Sequence, residues 1–157
     1  QHNDPTTGST TIAWAAGLTP GDSVSLDLAR PAVQLSPPDA ATGVTTATEF
    51  ALSNPDGGVM TFFMNATGGG SSFAVTTEAT TATIPNLTAI DLPLPAAKEY
   101  GWTVLTSHDV ATVDDAVTGS GYLGEFLRVS EISSGGAPAP TADGRISASV
   151  ARTFTSQ

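Results

Sequence analysis

No cysteine occurs among the 157 residues, so the chain has no disulfide, no thiolate metal site and no cysteine nucleophile. Charged side chains are scarce at 13%, and basic ones scarcer still: five against fifteen acidic, a net charge of −10. That balance repels both a phosphate backbone and an anionic membrane surface, which excludes nucleic acid as a partner. The acidity reads as solubility in a salty or extracellular medium rather than as cation binding. No apolar run approaches the roughly 20 residues that span a bilayer, and no basic-then-apolar signal segment is present. Gln1, in place of an initiator Met, fits a chain whose signal has been removed, or an excised fragment. Only two histidines, His2 and His108, are available to acid–base chemistry, and no Gly-x-Ser-x-Gly elbow exists.

With so few charges, the surface must be made polar by Thr, Ser, Asn and Gly. Thr is β-branched and suits an exposed strand position; together with Ala, Val, 16 Gly and 11 Pro it points to short strands joined by turns. The length suits one domain with extensions. This composition leads us to expect a secreted or cell-surface protein of bacterial style.

Residues 1–9, rich in Thr, Asn, Asp and Gly, read as disordered or tethered. Thr10 to Ala16 reads as a strand with Ile12 and Trp14 on one face. Leu18-Thr19-Pro20-Gly21-Asp22 is a turn, and Ser23 to Ala29 alternates Val24, Leu26 and Leu28 with Ser25 and Asp27. The first 30 residues are thus expected to form a hairpin extension. A second unit, 31–157, starts with a short strand at Val33 and Leu35, broken by Pro37-Pro38-Asp39. Further strands are expected at Thr46 to Ser53, Val59 to Thr67, Ser72 to Thr77 and Thr80 to Ile84, separated by Asn54-Pro55-Asp56-Gly57-Gly58 and Gly68-Gly69-Gly70. Strands at this spacing indicate an antiparallel sandwich or barrel.

Leu94-Pro95-Ala96-Ala97-Lys98-Glu99-Tyr100-Gly101-Trp102-Thr103-Val104 resembles the run into the sixth strand of fibronectin type III domains. Ser36-Pro37-Pro38-Asp39-Ala40-Ala41-Thr42-Gly43-Val44 is similar to the opening of bacterial members, and Ser147 to Ser156 to their closing strand. The resemblance covers about 32–106 and 145–157. It implies an all-β, immunoglobulin-like sandwich in which Tyr100 is the tyrosine-corner residue, its ring buried and its hydroxyl bonded to upstream backbone. Trp102 and Val104 follow it into the core, and Phe50 stands where the family has a second-strand Trp. The chain departs from the family at Ala96 and Ala97, where a turn glycine is usual, and in the segment 107–144 before the last strand, far longer than a hairpin connection.

Gly119-Ser120-Gly121-Tyr122-Leu123-Gly124 spells GxGxxG, but no buried parallel strand or βαβ unit surrounds it, so it reads as a flexible loop leading into the apolar Tyr122 to Ile132. Asp109, Asp114 and Asp115 are the candidates for a calcium site, without EF-hand spacing; a solvated acidic loop is the plainer reading. His108 beside Asp109 reads as a loop residue rather than a base. Glu49, Glu78, Glu99, Glu125 and Glu131 are scattered singly, without the pairing that glycoside hydrolysis needs. Trp102, in phase with Tyr100, reads as core, whereas Trp14 is free to stack a sugar ring or cover an interface. The sequons at Asn65 and Asn86 carry little weight in so Thr-rich a chain.

The expectation is therefore a non-enzymatic module without a cofactor: a spacer, scaffold or subunit whose partners are other protein chains or neighbouring domains. The other open reading is an adhesion module that binds glycan or protein through end loops and the 107–144 insertion.

Overall fold

A computed structural model describes residues 1–117 and 142–157. The fold is all-β, built from two sheets around one main core. The smaller sheet has the order β3-β5-β8: Val33–Ser36, Glu49–Ser53 and Thr81–Thr83, all antiparallel. The larger is organised about β9 (Glu99–Ser107). On one side lie β6 (Val59–Ala66) and then β7 (Ser72–Thr77), both antiparallel. On the other, β11 (Arg152–Ser156) pairs with the first half of β9 and β10 (Gly144–Ala148) with its last three residues. Beyond them, β4 (Ala41–Val44) runs parallel to β11, while β2 (Thr10–Trp14) pairs antiparallel with β10 and carries β1 (His2–Asn3) on its far edge.

Period-2 alternation explains the core. Met60, Phe62 and Met64 of β6 and Tyr100, Trp102 and Val104 of β9 face Phe50 and Leu52 of β5 and Phe154 of β11, all buried. Phe50 sits edge-on to Trp102, centroids 5.0 Å apart at 83°, and 5.3 Å from Phe154; Tyr100 stacks on Phe154 at 5.1 Å and 9°. Such edge-on and stacked pairs fix ring positions as well as burying area. The opposite face of the large sheet has its own small cluster, in which Val59, Leu105 and Ile146 are covered by Ala116 and Val113 of helix α1 (Val113–Val117). The chain after β9 thus turns back over the sheet. Thr112 caps this helix, its hydroxyl accepting from the Asp115 amide at 3.1 Å and donating to the Asp115 carboxylate at 2.7 Å, while Glu78 accepts from the Val113 amide at 3.0 Å.

The Asn54–Gly58 and Gly68–Gly70 turns fall where expected. So does the Leu18–Asp22 turn, closed by Thr19 donating from both its amide and its hydroxyl to Asp22 at 2.7 Å. Gly58 is obligatory: its φ is +108°, and a side chain there would run into the Ser107 carbonyl.

Four expectations are corrected. Residues 1–9 are not loose: Asp4 accepts from the Thr6 amide, the Gly8 amide bonds the Asp4 carbonyl, and β1 returns onto β2. Ser23 to Ala29 is not a strand, so the hairpin expected over the first 30 residues does not form. β2 finds its partner instead in β10, more than a hundred residues later. Alternation sets which way side chains face; it does not supply a backbone partner. β3 forms, but with Val33 and Leu35 outward at 57% and 61% exposure and Gln34 inward at 2%, because its phase is set by pairing Gln34 with Leu52. The closing strand is two: the ladder breaks after Ala148, where the Ser149 amide donates to the Val104 carbonyl and the Ser149 hydroxyl accepts from the Val104 amide, at 2.8 and 2.9 Å.

Candidate functional site

Of the residues singled out in the sequence, Phe50, Tyr100 and Trp102 are core, exposed by 0, 0 and 1%. The Tyr100 hydroxyl differs from the expected corner: it is buried and has no hydrogen-bond partner among the described residues. Burial raises its pKa.

Asp109, Asp114 and Asp115 do not converge. Asp109 forms a two-pronged pair with Arg145, Nη2 to Oδ1 at 2.7 Å and Nε to Oδ2 at 3.1 Å. Asp114 and Asp115 lie in the first turn of α1, where the helix dipole favours negative charge. Among the described residues no group of three or more His, Asp or Glu is arranged to hold a metal ion. The GxGxxG run, Glu125, Glu131 and Tyr122 to Ile132 lie outside the described residues.

His108 lies in the turn just past β9, as expected, but its side chain is buried rather than solvated. It is 8% exposed, with Nδ1 3.0 Å from the Gly57 carbonyl and Nε2 2.8 Å from the Ser147 hydroxyl. Because the carbonyl can only accept, the neutral ring carries its proton on Nδ1 and accepts from Ser147. Burial lowers the imidazole pKa, with Arg145 acting in the same sense; the Gly57 hydrogen bond, Asp56 and Asp109 oppose it. The Ser147–His108 distance is that of a nucleophile–base couple, but Ser147 is 1% exposed and faces the interior, so no substrate reaches it.

Among the sequence candidates, Trp14, with Asp109 nearby, meets an opening. It borders a groove of about 390 Å³ between the end of β2, the stretch Val24 to Asp27, and Asp143-Gly144-Arg145. The indole is held firmly. Its Nε1 donates to the Ala142 carbonyl at 2.9 Å, and its six-membered ring lies against Gly144, the residue paired opposite it, where any side chain would collide. Around it stand Asp27, exposed; Asp143, whose Oδ1 accepts from the Ala16 amide at 2.7 Å; and the Asp109–Arg145 pair. Sequence reasoning missed Asp27, Asp143 and Arg145, since the β2–β10 pairing brings Asp143 and Arg145 to Trp14 and the non-strand stretch Val24 to Asp27 lines the same groove. The one local signal was a glycine, Gly144, at the start of a strand.

Beside the groove, Val24, Leu26 and Leu28 are exposed by 50, 46 and 47%, on a segment without a strand partner among the described residues. Their neighbour Ala29 is buried and tied to β2 through the Thr11 hydroxyl, which donates to its carbonyl at 3.1 Å. Arg30 is anchored to Asp56, which receives its backbone amide at 2.6 Å and its Nε at 2.9 Å; the guanidinium holds the Asp56 carboxyl down at about 2. The segment is thus pinned at its C-terminal end, with its apolar side chains left in solvent.

Compared with protein-family models, curated proteins and solved structures, the chain matches none. No helix among the described residues is long and apolar enough to cross a membrane.

Proposed function

We propose that this chain is a non-catalytic, fibronectin type III-like module of an exported bacterial surface protein, serving as spacer, scaffold or subunit and meeting its neighbours through its N-terminal face. Strand order supports the family reading. With β3 and β4 as a first strand that changes sheet at Pro37–Ala40, and β10 and β11 as a broken seventh, β3-β5-β8 opposes β4-β11-β9-β6-β7 as in an immunoglobulin-like sandwich. The Thr- and Ser-rich acidic surface fits an extracellular setting.

The observation that carries the assembly role is the exposed, alternating row of Val24, Leu26 and Leu28 beside the sheet edge β2. Among the described residues, Thr10 and Thr11 of that edge pair with β1, and Ile12 to Trp14 have no strand partner on that side. Unpaired edges and apolar rows are the surfaces on which strand addition and domain contacts are built. The partner is another copy or an adjoining domain.

Because the chain has no native cysteine, one introduced thiol reports a single position. Ser23→Cys, labelled with a short cross-linker on the producing cell, is expected to yield a discrete covalent adduct, whereas Ala79→Cys, exposed elsewhere beside β8, yields none. Equal labelling at both positions, or no adduct at Ser23→Cys, overturns the assignment of the contact face.

A further inference from the structure

The groove beside Trp14 has a chemistry that an apolar contact row does not require. We infer that it is a binding subsite for neutral carbohydrate, with the Trp14 indole as the stacking platform and Asp27, Asp143 and Arg145 as the polar contacts.

The platform comes first. One side of a pyranose ring presents C–H groups that are apolar and slightly positive, and the face of an indole is apolar and negative, so the two attract. A platform gives most when it is already fixed, because little side-chain freedom is then lost on binding. Trp14 meets that condition twice over, through its Nε1 bond to Ala142 and through Gly144 beneath the ring. A pyranose also needs partners for its hydroxyls. Asp27 makes no hydrogen bond to the described protein, and Asp143 uses only Oδ1 within the fold, so both retain carboxylate oxygens able to accept from hydroxyls. Arg145 uses Nε and Nη2 on Asp109 and keeps Nη1 as a donor. Acceptors and a donor thus flank the ring, the mixture that a polyol with both functions on each hydroxyl can satisfy.

Charge narrows the class. Asp27, Asp109 and Asp143 against Arg145 leave the groove with an excess of negative charge, in a chain already at −10. Phosphate, sulfate and uronic acids are repelled, while a neutral glycan carries no such penalty. A volume of about 390 Å³ lies in the lower part of the range for small-ligand pockets and admits roughly one or two pyranose rings. An open groove of that size suits one stretch of a longer chain.

The inference is separable from the module reading, which the Ser23→Cys adduct tests by itself. The probe is a set of soluble neutral polysaccharides (a mixed-linkage β-glucan, a xylan, a mannan, a galactan and dextran) cast into native gels, with polygalacturonate as the anionic control. We expect at least one neutral polymer to retard the wild-type chain and to shift its tryptophan emission to shorter wavelength, since Trp102 is already buried and only Trp14 can be newly covered. Trp14→Ala should abolish the retardation. Asp27→Ala, which removes no hydrogen bond of the fold, should weaken it at least about tenfold while leaving the melting temperature unchanged. Failure of every neutral polymer to retard the wild type, retardation by polygalacturonate alone, or unaltered binding by both variants would each overturn the subsite.

Discussion

Tyr100 has its ring against Phe154 and Phe73 and its hydroxyl buried without a hydrogen-bond partner among the described residues. A buried, unpaired hydroxyl costs stability, because it has given up water and received nothing in return. Tyr100→Phe should therefore raise the urea midpoint, by about 1 kcal/mol in unfolding free energy. A loss of similar size would mean that the hydroxyl is bonded in solution as in a tyrosine corner. At this scale the core was legible through the resemblance, which implied that Tyr100, Trp102 and Val104 point inward and that Phe50 stands at an aromatic core position; the period-2 spacing within each strand agrees with their burial. Gln34 was not legible. It takes an inward position between two apolar neighbours because β5 sets the register, and its Nε2 finds the Trp102 carbonyl at 3.3 Å. Only a cross-strand pairing carries that information.

Elements are tied together where β9 ends. His108 links the turn before β6, through Gly57, to β10, through Ser147, and its own amide donates to the Arg145 carbonyl at 3.0 Å. Its folded pKa lies below the ordinary 6.5, chiefly through burial, so the unfolded chain takes up the proton more readily. The sign follows directly: this contribution is whole above the ordinary value and is lost as pH falls from there towards the lowered folded value. Urea midpoints taken from about pH 7.5 down to about pH 5 should decline in the wild type and decline less in His108→Gln. Parallel curves would mean that the ring does not titrate with unfolding. The carboxyl of Asp56, held at about 2, begins to lose its contribution only at more acid pH, so the two effects separate. Most strands of the 31–157 unit could be placed from the sequence because turn residues bracket them. The first strand's partner could not, since nothing local to Thr10–Trp14 points to Gly144–Ala148. The alternation in Ser23 to Ala29 misled for the same reason: it specifies two faces but no backbone partner, and among the described residues the segment pairs with no strand.

Across the whole molecule, one aromatic core holds two sheets together and a smaller apolar cluster fastens α1 to the outer face. The long segment before the last strand was recognisable as a departure from the resembled family, but not the return of its first residues to cover the sheet. That return depends on Val113 and Ala116 meeting Val59 and Leu105, residues that lie far apart in sequence. The contact face proposed above lies on the N-terminal side, where the edge of β2, the exposed row and the Trp14 groove adjoin. Amide hydrogen exchange, compared between the free chain and the chain assembled on its producing cell, tests this most directly. The account predicts added protection within residues 10–29 and unchanged exchange in β7 and β8. Added protection confined to β7 and β8, with residues 10–29 exchanging as in the free chain, would contradict it.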